Sequence, residues 1–284
     1  MKIGVTGATG HLGTLVTEKL KVRISSSNIV ALVRSPQKAA KLGVEVREFD
    51  YDKPENLAAA LSGIESLLLI SASEFGQRSR QHANVIEAAK KAGVKRIVYT
   101  SLLRADTSSL SLAAEHNATE EMLRKSGIDY TILRNGWYTE NYTGSAPNAI
   151  KGGAFLGSAG DGRISSATRE DYAEAAAVVL TSKDYSGKVL ELAGDESYTL
   201  KDLAAEISKQ TGKDIPYRDL PEKEYAGILK SFGIPEGYAT AIAGWDVATS
   251  KGALYDDTHQ LSKLIGRPTT QLSKAVKDAL ATKE

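Results

Sequence analysis

The 284-residue chain contains no cysteine, which excludes a disulfide framework, a thiolate metal site and a cysteine nucleophile. It carries almost no net charge, with 36 Lys and Arg against 35 Asp and Glu. No field of one sign therefore favours nucleic acid or an anionic membrane surface as a partner. No apolar run approaches the length of a bilayer span, and the N-terminus lacks the basic region, apolar core and small-residue cleavage site of a secretory signal. A soluble cytoplasmic protein is the expectation, with small molecules or a second copy of itself as partners. Internal repeats and low-complexity tracts are lacking as well. Aromatic residues make up only 6% of the chain, so any place where they cluster stands out.

What is present is enough apolar residue, 42% of the chain, for one large core or two smaller ones. Residues 1–13 organise the rest: a short apolar run stops at Gly7 and restarts at once as a helical pattern after Gly10 and Gly13. This reads as a strand, a tight loop and a helix N-terminus. The unpaired backbone N–H groups there, at the positive end of the helix dipole, suit a pyrophosphate. Gly7 permits the sharp turn, Gly10 lets the diphosphate approach the backbone, and Gly13 lets the helix pack closely on its strand.

The chain then alternates. Residues 28–34 form a continuous apolar run ending in Arg34, as a strand buried on both faces requires. At this position an acid accepts from a ribose 2′-hydroxyl, whereas an arginine pairs with a 2′-phosphate, so Arg34 points to NADP over NAD; a solvated surface arginine is the plainer reading. Further strands are expected at 44–50, 66–70, 95–101 and 129–134, with helices at 54–61, 77–92 and 112–125. Asp50 is placed either to accept from the adenine amine or to start the turn at Tyr51. The polar segment Ser71, Ala72, Ser73 and Glu74 follows the fourth strand, where ligands of open α/β sheets bind, and is expected to line the nicotinamide half of the site; Glu74 alternatively begins the next helix. After the sixth strand, Asn135, Gly136, Trp137, Tyr138, Thr139, Glu140, Asn141 and Tyr142 concentrate aromatic and amide groups, a mixture suited to a flat apolar ligand.

The fold expected is α/β: a Rossmann-type, doubly wound parallel sheet over residues 1–150, with a smaller α+β substrate-side domain over 151–284, interleaved with the first. In the second part, glycine-rich loops at 152–162 precede a helix to about residue 180. A strand at 188–193 and a helix from Thr199 to Thr211 follow, then a short edge strand at 215–218. Helices broken by Pro221, Pro235 and Pro268 end the chain.

The loop from Gly7 to Gly13, Arg34, the run Arg134-Asn135-Gly136-Trp137-Tyr138 and the run Ser166-Ala167-Thr168-Arg169 together resemble the NmrA-like branch of the atypical short-chain dehydrogenases. More narrowly, segments 68–71, 76–78, 99–107 and 262–270 resemble the bacterial NAD(P)H:quinone oxidoreductases of type 2. The triphenylmethane-dye reductases share the loop and layout but diverge after strands four and five. The resemblance implies NADPH bound by Gly7, Ala8, Thr9, Gly10, His11, Leu12 and Arg34, with Ala72, Ser73, Glu74, Gly136 and Trp137 to Asn141 nearer the nicotinamide. His11 departs from the glutamine of close relatives, and can still donate to a phosphate.

The Tyr-x-x-x-Lys pair of typical short-chain dehydrogenases is missing from the helix after strand five, which carries His116 and Glu120 instead. These two have no spacing for a metal site. A quinone is already a good hydride acceptor and needs orientation and apolar enclosure more than an activated acid. The expected reaction is hydride transfer from NADPH to a quinone, with Tyr138 and Asn141 bonding the quinone oxygens and solvent or His116 supplying the proton. The alternatives are an NADP-sensing regulator of the NmrA kind, a dye reductase, and a degenerate epimerase or dehydratase. A homodimer stands against a monomer.

Overall fold

The computed structural model describes residues 1–281. Its strands are β1 (Ile3–Thr6), β2 (Ile29–Val33), β3 (Glu45–Glu48), β4 (Ser66–Leu69), β5 (Arg96–Leu102), β6 (Asp129–Asn135), β7 (Phe155–Gly157), β8 (Val189–Leu192) and β9 (Tyr217–Asp219). The described chain separates into two compact units: 1–106, 112–135 and 169–192 form the first, and 107–111, 136–168 and 193–281 the second.

The first unit holds one seven-stranded parallel sheet in the order β3-β2-β1-β4-β5-β6-β8. Every residue of β1, β2 and β4 is buried, as helices on both faces of a parallel sheet require. The order reverses between β1 and β4, which register Ile3 against Ser66. A reversal leaves a crevice at the carboxyl ends of the strands, the ligand position of open α/β sheets.

One boundary at 150/151 is not how the structure divides. Helix Arg169–Thr181 and β8 belong to the first unit: β8 pairs with β6, Ile132 opposite Val189, and the helix packs on helix His11–Lys21. The helix is buried on nearly all sides through small residues, Ala173, Ala175, Ala176 and Ala177 among them. A helix apolar all round gives no one-sided pattern to mark its place. Lys19 closes the contact with an ion pair to Glu170 at 2.9 Å.

The second unit contains a two-stranded parallel sheet, β7 against β9 with Phe155 opposite Tyr217, and helices that include Leu200–Thr211, Glu222–Ser231 and Glu236–Ser250. Thr199 and Asp202 form a capping box on the first of these. Pro221 and Pro235 are the N-cap residues of the other two, so these prolines stand at the expected breaks and each starts the helix that follows. β7 went unrecognised because its three residues lie in a glycine-rich stretch that reads as loop. Among the described residues no helix is long and apolar enough to cross a membrane, and no group of three or more His, Cys, Asp or Glu is placed to hold a metal.

Candidate active site

At the β1/β4 reversal a groove of about 510 Å³ is lined from three strand ends: Gly7, Thr9 and Gly10 after β1, Arg34 and Ser35 after β2, and Ile70 to Glu74 after β4. Two features of the first loop require glycine. Gly7 has φ +58°, and a Cβ on Gly13 would lie 2.2 Å from the Gly7 carbonyl oxygen. Helix His11–Lys21 thus begins against the loop that precedes it, its N-terminus at the groove.

The floor of the groove is held by side chains from below. Three consecutive N–H groups after β4 donate to buried acceptors: Ile70 to Thr6 Oγ1, Ser71 to Thr100 Oγ1 and Ala72 to His82 Nε2, each at 2.9 Å. Arg78 Nε donates to the Ala72 carbonyl at 2.7 Å and its guanidinium pairs with Glu115 at 3.0 Å. The Tyr51 hydroxyl stands 2.5 Å from Thr6 Oγ1 and 3.0 Å from the Ile70 carbonyl, tying the ends of β1 and β4 together. The loop has little freedom to rearrange, so the groove is preformed.

The open side of the groove is charged. Arg34 pairs with Glu74 at 3.1 Å, both side chains well exposed, and Lys38 lies on the same wall. Gln81 donates through Nε2 to Glu74 at 2.9 Å and to Asp52 at 3.1 Å, while its buried Oε1 has no partner. Two cations, a loop that excludes side chains and an orphaned amide oxygen fit a phosphorylated dinucleotide: the cations match a 2′-phosphate, and Asp50 and Gln81 offer acceptors to a base amine or ribose hydroxyl.

The second unit has a separate cavity of about 310 Å³ with aromatic walls that include Trp137, Tyr142, Phe155, Tyr225 and Trp245, and with Asn141, Ser145 and Asp246 as polar members. Trp137 and Trp245 meet edge to face at 5.4 Å, and Trp245 donates to Ser111 Oγ at 2.9 Å. The backbone of 137–139 is pinned to Ala167 by two hydrogen bonds, Thr139 N–H to the Ala167 carbonyl and Ala167 N–H to the Trp137 carbonyl. Asp246 is only 4% exposed and accepts the Ser158 N–H at 2.9 Å. Burial raises its pKa to about 6, the Ser158 bond acting against this and the Asp219 charge adding to it.

Of the residues singled out in the sequence, Gly7, Thr9, Gly10, Arg34, Ala72, Ser73 and Glu74 line the groove. Ala8 and Leu12 are buried, His11 is exposed, and none of the three is on the groove wall. Gly136, Trp137, Tyr138, Thr139, Glu140 and Asn141 lie in the second unit, where Trp137 and Asn141 line the aromatic cavity and the other four do not. His116 is buried, with Nδ1 2.7 Å from the Tyr99 hydroxyl, and lines neither the groove nor the cavity. Burial and the Arg78 charge lower its pKa to about 3, so it is neutral at pH 7. Lys38, Tyr51, Gln81, Trp245 and Asp246 escaped sequence reasoning. Arg34-Ser35-Pro36-Gln37-Lys38 carries the one usable signal, one cation just before a proline-started turn and a second within it.

The profile of the NmrA-like family matches residues 1–278. Quinone oxidoreductase 2 of Escherichia coli (strain K12) is 57% identical over 277 residues, 96% of this chain and 97% of that one. The solved structure of the NADPH-dependent quinone oxidoreductase from Escherichia coli complexed with NADPH superimposes with a TM-score of 0.95 at 56% identity, over 98% of this chain and 99% of the other. The triphenylmethane reductase of Citrobacter sp. complexed with NADP(H) gives 0.94 at 39% identity, over 98% and 100%.

Proposed function

The chain belongs to the NmrA-like family, and from that premise we propose that it is an NADPH-dependent quinone oxidoreductase. The observation that carries this reading is the groove at the β1/β4 reversal, bearing Arg34 and Lys38, in a chain akin over its whole length to an enzyme of that activity. When bound, NADPH supplies the hydride. The chain's own residues bind and orient: the loop from Gly7 to Gly10 and the following helix N-terminus take the pyrophosphate, and Arg34 with Lys38 takes the 2′-phosphate. The pinned segment Ser71 to Ser73 shapes the nicotinamide end.

The quinone ring belongs in the aromatic cavity of the second unit, whose walls are mostly apolar. Of the two groups the sequence offers to the quinone oxygens, Asn141 is on the cavity wall and Tyr138 is not, so Asn141 is the hydrogen bonder we assign. His116 is buried beside Tyr99 and is not assigned a proton-transfer role. Cytoplasmic residence and a homodimer accompany this reading as proposals, the latter read by sedimentation.

The test is NADPH oxidation followed by absorbance with and without 1,4-benzoquinone, with NADH and a triphenylmethane dye in parallel. Quinone-dependent oxidation that prefers NADPH is expected. Tight NADPH binding with no turnover of any acceptor would overturn the reading in favour of a dinucleotide sensor.

A further inference from the structure

The aromatic cavity does not end at its own far wall. A second cavity of about 360 Å³ adjoins it, and the two share Ser145, Phe155, Leu156, Tyr225, Leu229 and Ile234. A six-membered ring needs little of this space, since a cavity of roughly 150 Å³ accommodates benzene. The first cavity alone is about 310 Å³, and the second offers a ring no new hydrogen-bonding group in its interior. There the additional walls are the buried Ala149 and Ala154, whereas Asn148 and Arg218 are exposed. Phe232, which lines the second cavity and not the first, is 61% exposed, an apolar ring left in water.

We infer that the second cavity is the subsite for an aliphatic side chain on the quinone, so that the substrate class is a quinone carrying a prenyl or alkyl tail. The inference rests on the quinone reading above. Its argument is continuity: a tail leaving a ring seated among Trp137, Tyr142 and Trp245 runs along the apolar Phe155, Leu229 and Ala149, with Ser145 and Tyr225 the polar residues of the shared wall, and reaches solvent over Phe232. Apolar area removed from water along that path adds affinity without touching the reacting atoms. The tail therefore lowers Kd and KM and leaves kcat unchanged.

The protein carries its own probe, because its only two tryptophans, Trp137 and Trp245, both wall the ring cavity. Quenching of their fluorescence reads quinone binding whether or not turnover follows. The experiment compares one dimethoxy-methyl-benzoquinone ring with no tail, with one prenyl unit and with a decyl chain. It uses wild type, Ala149→Phe, which fills the second cavity alone, and Phe232→Ser, an exposed change that leaves the core intact. The expected result is at least about tenfold tighter binding on adding the tail in wild type, abolished in both variants, with the tail-less quinone bound equally by all three. A flat series in wild type, or a gain that survives both variants, overturns the subsite. Turnover with NADPH is scored separately: if no quinone is reduced the oxidoreductase reading falls, while the fluorescence series still decides the tail.

Discussion

The Nε2 atom of His82 accepts the backbone N–H of Ala72 at 2.9 Å, and this single bond fixes the protonation of a buried network beneath the cofactor groove. An accepting Nε2 leaves the ring proton on Nδ1, 2.9 Å from Thr119 Oγ1, whose own hydroxyl donates to the Glu115 carbonyl at 3.0 Å. His82 is therefore neutral. Burial, then the nearby Arg78 charge, lowers its pKa to about 3.

His82→Leu removes that acceptor and strands a part-buried N–H, a loss of about 1–3 kcal/mol. Because Ala72 lines the groove, the expected signature is a raised KM for NADPH with little change in the KM for quinone. The pH dependence has a definite sign. The unfolded chain protonates this histidine near pH 6.5 and the native state near 3, so its share of stability is whole above pH 6.5 and is lost as pH falls toward 3. The slope is up to about 1.4 kcal/mol per pH unit. Urea unfolding from pH 7 to 4 should show a flatter profile for the variant than for wild type. Parallel profiles would refute the assignment.

Arg34 and Glu74 are bonded to each other across the groove, and the pair must part if Arg34 is to hold a 2′-phosphate. Such an exposed pair is worth at most about 1 kcal/mol. Glu74→Gln should therefore tighten NADPH binding by no more than about fivefold and leave NADH alone. Arg34→Ala should cut the preference for NADPH over NADH by about tenfold or more, with Lys38 holding what remains. Ratios of kcat/KM for the two cofactors in the two variants decide it. An unchanged ratio in Arg34→Ala would move the phosphate site elsewhere.

How much of this is readable without coordinates depends on how local the cause is. The loop from Gly7 to Gly13 is legible because each glycine answers a demand within seven residues, the 2.2 Å approach at Gly13 included. Arg34 is legible because a strand of five buried residues points straight at it. His82 is not: it lies in the middle of helix Arg78–Ala92 and acts on a residue ten positions earlier. Asp246 sits in a helix of mostly small and apolar residues, and its partner Ser158 is 88 residues away. The placement of β8 beside β6 was likewise hidden, since nothing in four alternating residues says which sheet they join.

Arg134 is the centre of a buried ion cluster at the end of β6. It grips Glu120 through Nε at 2.9 Å and Nη2 at 2.8 Å, and Nη1 reaches Glu191 at 2.8 Å and Asp106 at 3.0 Å. Glu120 has no exposed surface; burial pushes its pKa up, but the bonds from Arg134 and Ser101 outweigh this and hold it below the usual range. Glu120→Ala leaves a buried guanidinium short of its main partner, and a loss of about 3–5 kcal/mol is expected. Glu191 also accepts the Arg104 N–H at 2.8 Å, so the cluster anchors the turn after β5. Denaturant midpoints should fall sharply for Glu120→Ala and less for Asp106→Ala, whose side chain is 62% exposed.

Asp246 titrates with the opposite sign to His82. Its folded pKa, about 6, lies above the ordinary 3.8, so the native state binds the extra proton between these values. Stability is therefore whole below pH 3.8 and is lost as pH rises through 6, the buried charge being opposed by Asp219 and enclosed by Tyr142 and Tyr225. Asp246→Asn keeps an acceptor for the Ser158 N–H and never ionises. It should be more stable than wild type at pH 8, on the order of 1–3 kcal/mol, with the advantage shrinking as pH falls to 4. Since Asp246 lines the aromatic cavity, the same ionisation puts a charge beside an apolar ligand. Quinone KM should rise from pH 5.5 to 7.5 in wild type and stay level in Asp246→Asn. A variant whose KM rises in step with wild type would show that the carboxyl does not face the bound quinone.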